Sequence, residues 1–457
     1  MNKQRKGVLA LALGTISALL LAGCAGANVG ERGKTTINYW LWDSAQLPGY
    51  TACEKAFEKE NPTIDVRINQ YGWDDYWTQI TASMVAETAP DVFVNHTQQM
   101  PKYQQLGQIL DVSERVKKDG VNLSAYQNGL VDLFKGKEGK GLYGLPKDWD
   151  TEGLFYNETY LKDAGYTPAD LWNLTWNPKD GGTFEKFLAH MSVDKNGVRG
   201  DEEGFDPKHV DVYGLGYNES GAGYGQVQWS TFALANRWRY NADEAEAGKW
   251  ITKWNYDSPQ LAETINWWKG LIAKGYMPPL AAATSGVGTI ESLSGGKYAT
   301  LIEGAWQNAN IKPKMEKWGV NVAPAPIGPH GYRASVMNGV GDSIFAGTKH
   351  PNEAWQWVKF MGTPKCQNLV AKQAVVFPSL KESSQKAIEA VSKLGYDANA
   401  YSTYLKDNGR AVPSPVTARW DQLQTIMQPA MDAVVGGSKP TESLKEANKQ
   451  VNALFNK

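Results

Sequence analysis

The sequence predicts an α/β protein of two or more packed units, each a mostly parallel sheet covered by helices. Three observations lead there. The chain has 457 residues, more than one unit at roughly 100–200 residues per domain. Its 42% hydrophobic and 21% charged residues support a sizeable core and exclude wholesale disorder. Strand-like and helix-like segments alternate, the order that gives parallel strands joined by crossover helices.

Thr35 to Trp42 (TTINYWLW), β-branched and aromatic, reads as a strand. Tyr50 to Asn61 has helical spacing through Cys53 and Phe57, Pro62 ends it, and Ile64 to Gln70 is a second strand. Trp73 to Glu87 sets Tyr76, Ile80 and Met84 about one turn apart, an amphipathic helix. Pro90 to Val94 is a short buried strand. Ligands of such sheets sit beyond the carboxyl ends of the strands, at Trp42-Asp43, Gln70-Tyr71 and Asn95-His96. A second α/β unit begins after Gly144-Leu145-Pro146. Gly153 to Asn157 reads as its first strand, and Glu158 to Gly165 as a helix closed by glycine. Strands follow at Val212 to Tyr217, Lys297 to Ile302 and Asn338 to Phe345. Helices are expected around Trp229 to Trp238, at Pro259 to Gly275, at Asn352 to Met361 and at Ser443 to Phe455.

Lys3, Arg5 and Lys6 precede an uncharged run, Gly7 to Ala22, the basic start and short apolar stretch of an export signal. The run is shorter than the roughly 20 apolar residues that span a bilayer. It ends in Leu21-Ala22-Gly23-Cys24, which resembles the lipobox of bacterial lipoproteins. That resemblance implies a signal peptide over 1–23, lipid on the Cys24 thiol and a tether over 24–34. The mature protein would then face outward, held to the cell membrane by acyl chains alone. The other cysteines, Cys53 and Cys366, can pair or stay separate buried thiols; their spacing leaves both open. Three cysteines exclude a disulfide-rich scaffold, and a net charge of -1 argues against a nucleic-acid partner. The 18 Trp and 21 Tyr are a large stock of flat aromatic surface.

The landmarks, in order, are INYWLW, the helix–NP–strand step at Phe57 to Pro62, APDVF (Ala89 to Phe93), and YGLP (Tyr143 to Pro146) before LFYN (Leu154 to Asn157). GGKYATLIEGAW (Gly295 to Trp306), the segment Asn338 to Met361 and VFPS (Val376 to Ser379) complete them. Together they resemble the extracellular solute-binding proteins of bacterial ABC sugar importers, the group that includes maltose-binding protein. The resemblance implies a two-lobed, type II periplasmic-binding-protein-like fold, with strands crossing near Leu145, Asn338 and Val376. Lobe 1 would hold 35–146 plus about 340–390, and lobe 2 about 147–339 plus about 391–457. It further implies a monomer that closes over a carbohydrate and delivers it intact to the permease's transmembrane subunits. ATP hydrolysis would lie on another subunit, and no cofactor is expected.

Sugars present apolar C–H faces and a rim of hydroxyls, so a site needs aromatic plates beside carboxylates or amides. Trp42-Asp43 and Trp73 supply these at strand ends, with Asn95 and His96 after the third strand. Asp148 and Trp149 lie at the expected crossing, and Trp229 opens a helical segment. The family position makes Trp306 and Trp420 stacking candidates; Asn338-Gly339 would let backbone approach a ligand closely. Trp267, Trp268, Trp355 and Trp357 follow helical spacing and read as packing. The abundance of aromatics favours an oligosaccharide over a monosaccharide.

Asp194 to Asp206 crowds hard oxygens into one loop, but Val198, Arg199 and Phe205 occupy positions where an EF-hand needs a ligand, a glycine and a glutamate. It reads as a solvated acidic loop, and no metal is expected. The rival functions are a secreted glycoside hydrolase and a carbohydrate-binding surface protein outside transport. Asp74-Asp75, Asp148 with Asp150, and Glu202-Glu203 are the carboxylate pairs a hydrolase would draw on. Adjacent strand residues point to opposite faces, and neither GxSxG, HExxH nor a P-loop occurs. The sequence therefore predicts a carrier and no enzyme.

Overall fold

A computed structural model describes residues 33–243, 249–406 and 409–456; the signal segment, Cys24 and the tether up to residue 32 lie outside the described residues. The strands are β1 (Thr35–Leu41), β2 (Ile64–Gln70), β3 (Val92–His96), β4 (Leu145–Asp150), β5 (Glu152–Asn157) and β6 (Val193–Asp194). They continue with β7 (Val210–Leu215), β8 (Tyr298–Gly304), β9 (Val320–Ala323), β10 (Arg333–Ile344), β11 (Phe377–Pro378) and β12 (Gly409–Pro413).

The strand–helix alternation of the first hundred residues builds lobe 1. β1 buries Ile37, Tyr39 and Leu41, every second residue, and pairs in parallel with β2 from Thr35–Ile64 to Leu41–Gln70. The helix Leu47–Glu60 buries Tyr50, Cys53 and Phe57 at three- and four-residue steps. Cys53 forms a disulfide with Cys366 on the helix Pro364–Ala371, which decides the pairing that spacing left open. The lobe 1 sheet has the order β11-β4-β10-β3-β1-β2, with β12 added to the other half of β10; lobe 2 carries β6-β7-β8-β5-β9.

Both sheets are mixed, a departure from the mostly parallel sheets expected. β3 runs parallel to β1, but β10 runs antiparallel to β3 and β4, and in lobe 2 only β7 and β8 are parallel. The reason is the crossing. A strand that returns from the other lobe enters its new sheet against the direction of the strands already there. β10 is such a strand: Arg333–Met337 pairs with β12, and Asn338–Ile344 pairs with β4 and β3. All twelve of its residues are buried.

The chain crosses between lobes at Thr151, at Met337-Asn338, and again after the helix Lys381–Lys393. The third crossing lies beyond the Val376 expected, because Phe377 and Pro378 pair with Trp149 and Asp148 inside the lobe 1 sheet. Hydrogen bonds join the crossings: Thr151 Oγ1 donates to the Tyr401 carbonyl at 2.8 Å, and the Glu152 amide to Ser335 Oγ at 2.9 Å. Among the described residues no helix is long and apolar enough to cross a membrane.

Candidate functional site

The lobe 1 wall is aromatic. β1, β2 and β3 end side by side, and the turns after them bring together Trp42, Trp73, Trp77 and His96. Trp42 lies 5.1 Å from Trp73, 5.4 Å from Trp77 and 6.4 Å from His96, centroid to centroid. Trp73 opens the helix Trp73–Val85 and leaves 47% of its surface exposed, so this platform offers a free apolar face. Burial alone pushes the His96 imidazole down to about 4, so it is neutral at pH 7, and its Nδ1 accepts from the Gln98 amide at 3.3 Å.

The floor is formed by the crossings and is acidic. Asp150 ends β4, Glu152 begins β5, and Glu303 sits on β8 in register with Gly153. All three are buried. Burial pushes Glu152 up to about 8, despite an amide bond from Val227, and Glu303 up to about 7. Asp150 is driven well above the usual carboxylate range by burial and then by Asp148, Glu152 and Glu303. Asn338, opposite Asp150 in register, hydrogen-bonds it and accepts from Ser414 Oγ at 2.5 Å.

Lobe 2 closes the far side. Tyr224 lies beside the Gln98 side chain of lobe 1 and donates to Gln226, and its ring stands edge-on to Trp420 at 5.1 Å. Next to Trp420, Asp421 takes an ion pair from Lys102 of lobe 1 at 3.0 Å, and Trp250 Nε1 donates to the Lys135 carbonyl at 3.2 Å. Along the same boundary a cavity of about 610 Å³ is lined from lobe 1 by Gln105 and Lys137 and from lobe 2 by Trp250, Arg419 and Phe455. The lobes therefore meet across the mouth.

Several buried polar atoms along these walls have no protein partner: Gln98 Nε2, Asp150 Oδ1, Glu152 Oε2 and Gln226 Nε2. Unpaired buried polar atoms cost stability. They gather at one lobe boundary beside the aromatic platform.

The sequence candidates divide. Trp42, Trp73 and His96 form the platform, Asn338 stands in the floor, and Trp420 lines lobe 2. Trp306, half-buried, follows β8 and lies so close over Gly304 that a Cβ there would enter its ring. Others serve the scaffold. Asp43 accepts from the Ala45 amide and Gln46 Nε2, both at 2.9 Å, and shapes the turn into the first helix. Asn95 is fully buried and donates to Ser343. Asp148 is buried 3.3 Å from Lys147, which donates to Gln46 at 2.7 Å. Trp149 is a correction: it packs on Phe377 and donates to Ser384 in the lobe 1 core, with no open face. Trp229 is another, enclosed against Trp238 at 5.5 Å. So is Gly339, where the close approach is to Leu133: a Cβ would lie 2.8 Å from its Cδ1. Trp267, Trp268, Trp355 and Trp357 are buried, in line with the packing expected of them. Asp194 accepts three backbone amides, from Asn196, Val198 and Asp206, and organises its own loop; no group of ligands suited to a metal ion occurs among the described residues.

The residues of this boundary that the sequence did not single out are Glu152, Glu303, Tyr224, Gln98 and Gln226. A signal existed for the two glutamates: Glu152 opens and Glu303 nearly closes a strand that is mostly apolar, EGLFYN and YATLIEG.

Two mixed α/β lobes joined by three crossings, with a lined boundary between them, define a bilobal ligand-binding protein. The family described as bacterial extracellular solute-binding protein matches residues 52–395. The chain belongs to that family, whose members are carriers and not enzymes. It is 26% identical to the maltodextrin-binding protein MdxE of Bacillus subtilis over 404 residues, 87% of this chain and 84% of that one. It is 23% identical to the diacetylchitobiose binding protein DasA of Streptomyces coelicolor over 473 residues, 99% of this chain and 98% of the relative. Among solved structures, the ABC substrate-binding protein Lmo0181 of Listeria monocytogenes, in complex with cycloalternan, superposes with a TM-score of 0.76 at 19% identity, covering 92% of this chain and 99% of that one. The likeness shows the type II binding-protein fold.

Proposed function

We propose that this protein captures an oligosaccharide outside the cytoplasm and hands it unchanged to the membrane subunits of an ABC importer. One observation carries the reading: an aromatic platform on lobe 1 faces unpaired buried polar groups contributed by both lobes. The platform fits the C–H faces of sugar rings, and the polar groups fit their hydroxyls. A guest touching Trp42 and Trp73 on one lobe, and Tyr224 and Gln226 on the other, stabilises the arrangement in which the lobes meet. Relatives named for maltodextrin and diacetylchitobiose support an oligosaccharide as cargo. In this reading Cys24 bears the lipid that keeps the protein beside its permease, and the protein acts as a monomer. The test is a thermal-shift and calorimetric screen against an oligosaccharide panel, followed by chromatography of the recovered sugar. Dose-dependent stabilisation with the sugar recovered intact supports the reading. Released monosaccharide, or no binding across the panel, overturns it.

A further inference from the structure

We infer that Val227 is a positioning residue: its strained backbone clips the lobe 2 segment carrying Tyr224 and Gln226 to Glu152 at the crossing, and so holds both side chains in place for the sugar. This rests on the function just proposed and deepens it.

Val227 stands in the left-handed region, at φ 53°. Glycine and asparagine take that conformation readily, whereas a β-branched side chain crowds its own backbone there. Five non-glycine residues have positive φ among the described residues. Glu87, Glu138 and Arg237 are exposed, and Ala374 carries only a methyl group. Val227 alone is β-branched, and it is 2% exposed in the lobe 2 core. Such a conformation persists only where its surroundings over-determine it.

The surroundings do so here. The Val227 amide donates to Glu152 Oε1 at 3.0 Å, and the Glu152 amide donates to Ser335 Oγ at 2.9 Å. One residue thus ties the segment to the first and second crossings. Before Val227, the Gly223 amide donates to Gln424 Oε1 at 2.6 Å, and Tyr240 Oη donates to the Tyr224 carbonyl at 2.9 Å. After it, the amides of Gln228 and Ser230 both donate to the Gly225 carbonyl at 3.1 Å. Gly225 is itself left-handed at φ 73°, and a Cβ there would lie 2.2 Å from the Trp229 ring. Tyr224 and Gln226 lie between these anchors, bonded to each other beside Gln98 of lobe 1. Relaxing Val227 to negative φ would draw its amide off Glu152 and swing the Gln226 peptide away from the boundary. The buried isopropyl group and the Glu152 bond hold the strain in place, and the lobe 2 wall is formed before a guest arrives. A preformed wall spares the cost of ordering it on binding.

The test compares Val227→Ala with Val227→Gly in the mature protein. Both remove the isopropyl group, but only alanine keeps the penalty of a left-handed backbone. At an ordinary position glycine is the more damaging of the two; here the order should reverse. V227G should melt at least as high as V227A. By calorimetry it should bind the tightest member of a panel of malto- and chito-oligosaccharides within about threefold of the parent, and V227A at least about fivefold more weakly than V227G. A residue that served packing alone would lower both melting temperatures and leave both affinities unchanged. V227G melting below V227A, binding no more tightly than V227A, or falling outside that range of the parent overturns the inference and leaves the carrier function standing. Absence of binding by the parent across the panel overturns both.

Discussion

Replacing Glu152 with glutamine tests the buried acidic floor directly. In the folded protein burial holds this carboxyl at about 8, against 4.5 for an ordinary glutamate. Between those values the folded chain keeps a proton that the unfolded chain has lost, so stability falls as pH rises and levels off above about 8. A gap of about 3.5 pH units, at about 1.4 kcal/mol each, amounts to a loss of up to about 5 kcal/mol in alkali. Glutamine keeps the shape and the acceptor for the Val227 amide, now 3.0 Å from Glu152 Oε1, and cannot ionise. The variant should lie within about 1 kcal/mol of the parent near pH 5 and exceed it by several kcal/mol near pH 9. Urea unfolding followed by tryptophan fluorescence at both pH values measures this. Glu303 and Asp150 are raised for the same reason, so the variant's slope shrinks without vanishing. Equal slopes in both proteins, or a variant weaker than the parent near pH 9, would refute the reasoning.

Other perturbations separate site from scaffold. Trp73→Ala should weaken oligosaccharide binding by roughly 1–3 kcal/mol, about 5- to 150-fold in Kd by calorimetry, while half-exposed Trp73 costs little in melting temperature. Asp421→Asn removes the exposed bridge to Lys102; because surface pairs are worth roughly 0–1 kcal/mol, stopped-flow should find ligand release less than about fivefold faster. Cys53→Ser opens a link spanning 313 residues and should cost about 2–5 kcal/mol in denaturant melts, with sugar affinity kept within about twofold because the disulfide lies in the lobe 1 scaffold.

Periodicity made most elements legible. β2 runs over the same Ile64–Gln70 in sequence and structure, and the helices carrying Cys53, Tyr76 and Trp357 differ only at their ends. Strand ends also foretold that Trp42, Trp73 and His96 would lie together, since the parallel strands β1, β2 and β3 end side by side. Trp149 and Trp229 show where that logic stops: an indole suits a core as well as a cleft, and only its neighbours distinguish them. The third crossing and the sheet polarity were illegible for a related reason, because local pattern carries no information on which lobe a strand joins.

The amino-acid sequence by itself determined the α/β alternation, the family and the aromatic stock, because each is written in short-range order. Only the tertiary structure decided that Cys53 meets Cys366, and that Asp150, Glu152 and Glu303 share one buried floor. It also decided that Gln98 faces Tyr224 across the boundary. Cys53 and Cys366, Glu303 and the Asp150–Glu152 segment, and Gln98 and Tyr224 are far apart along the chain, and only the tertiary fold brings each set within reach of one another.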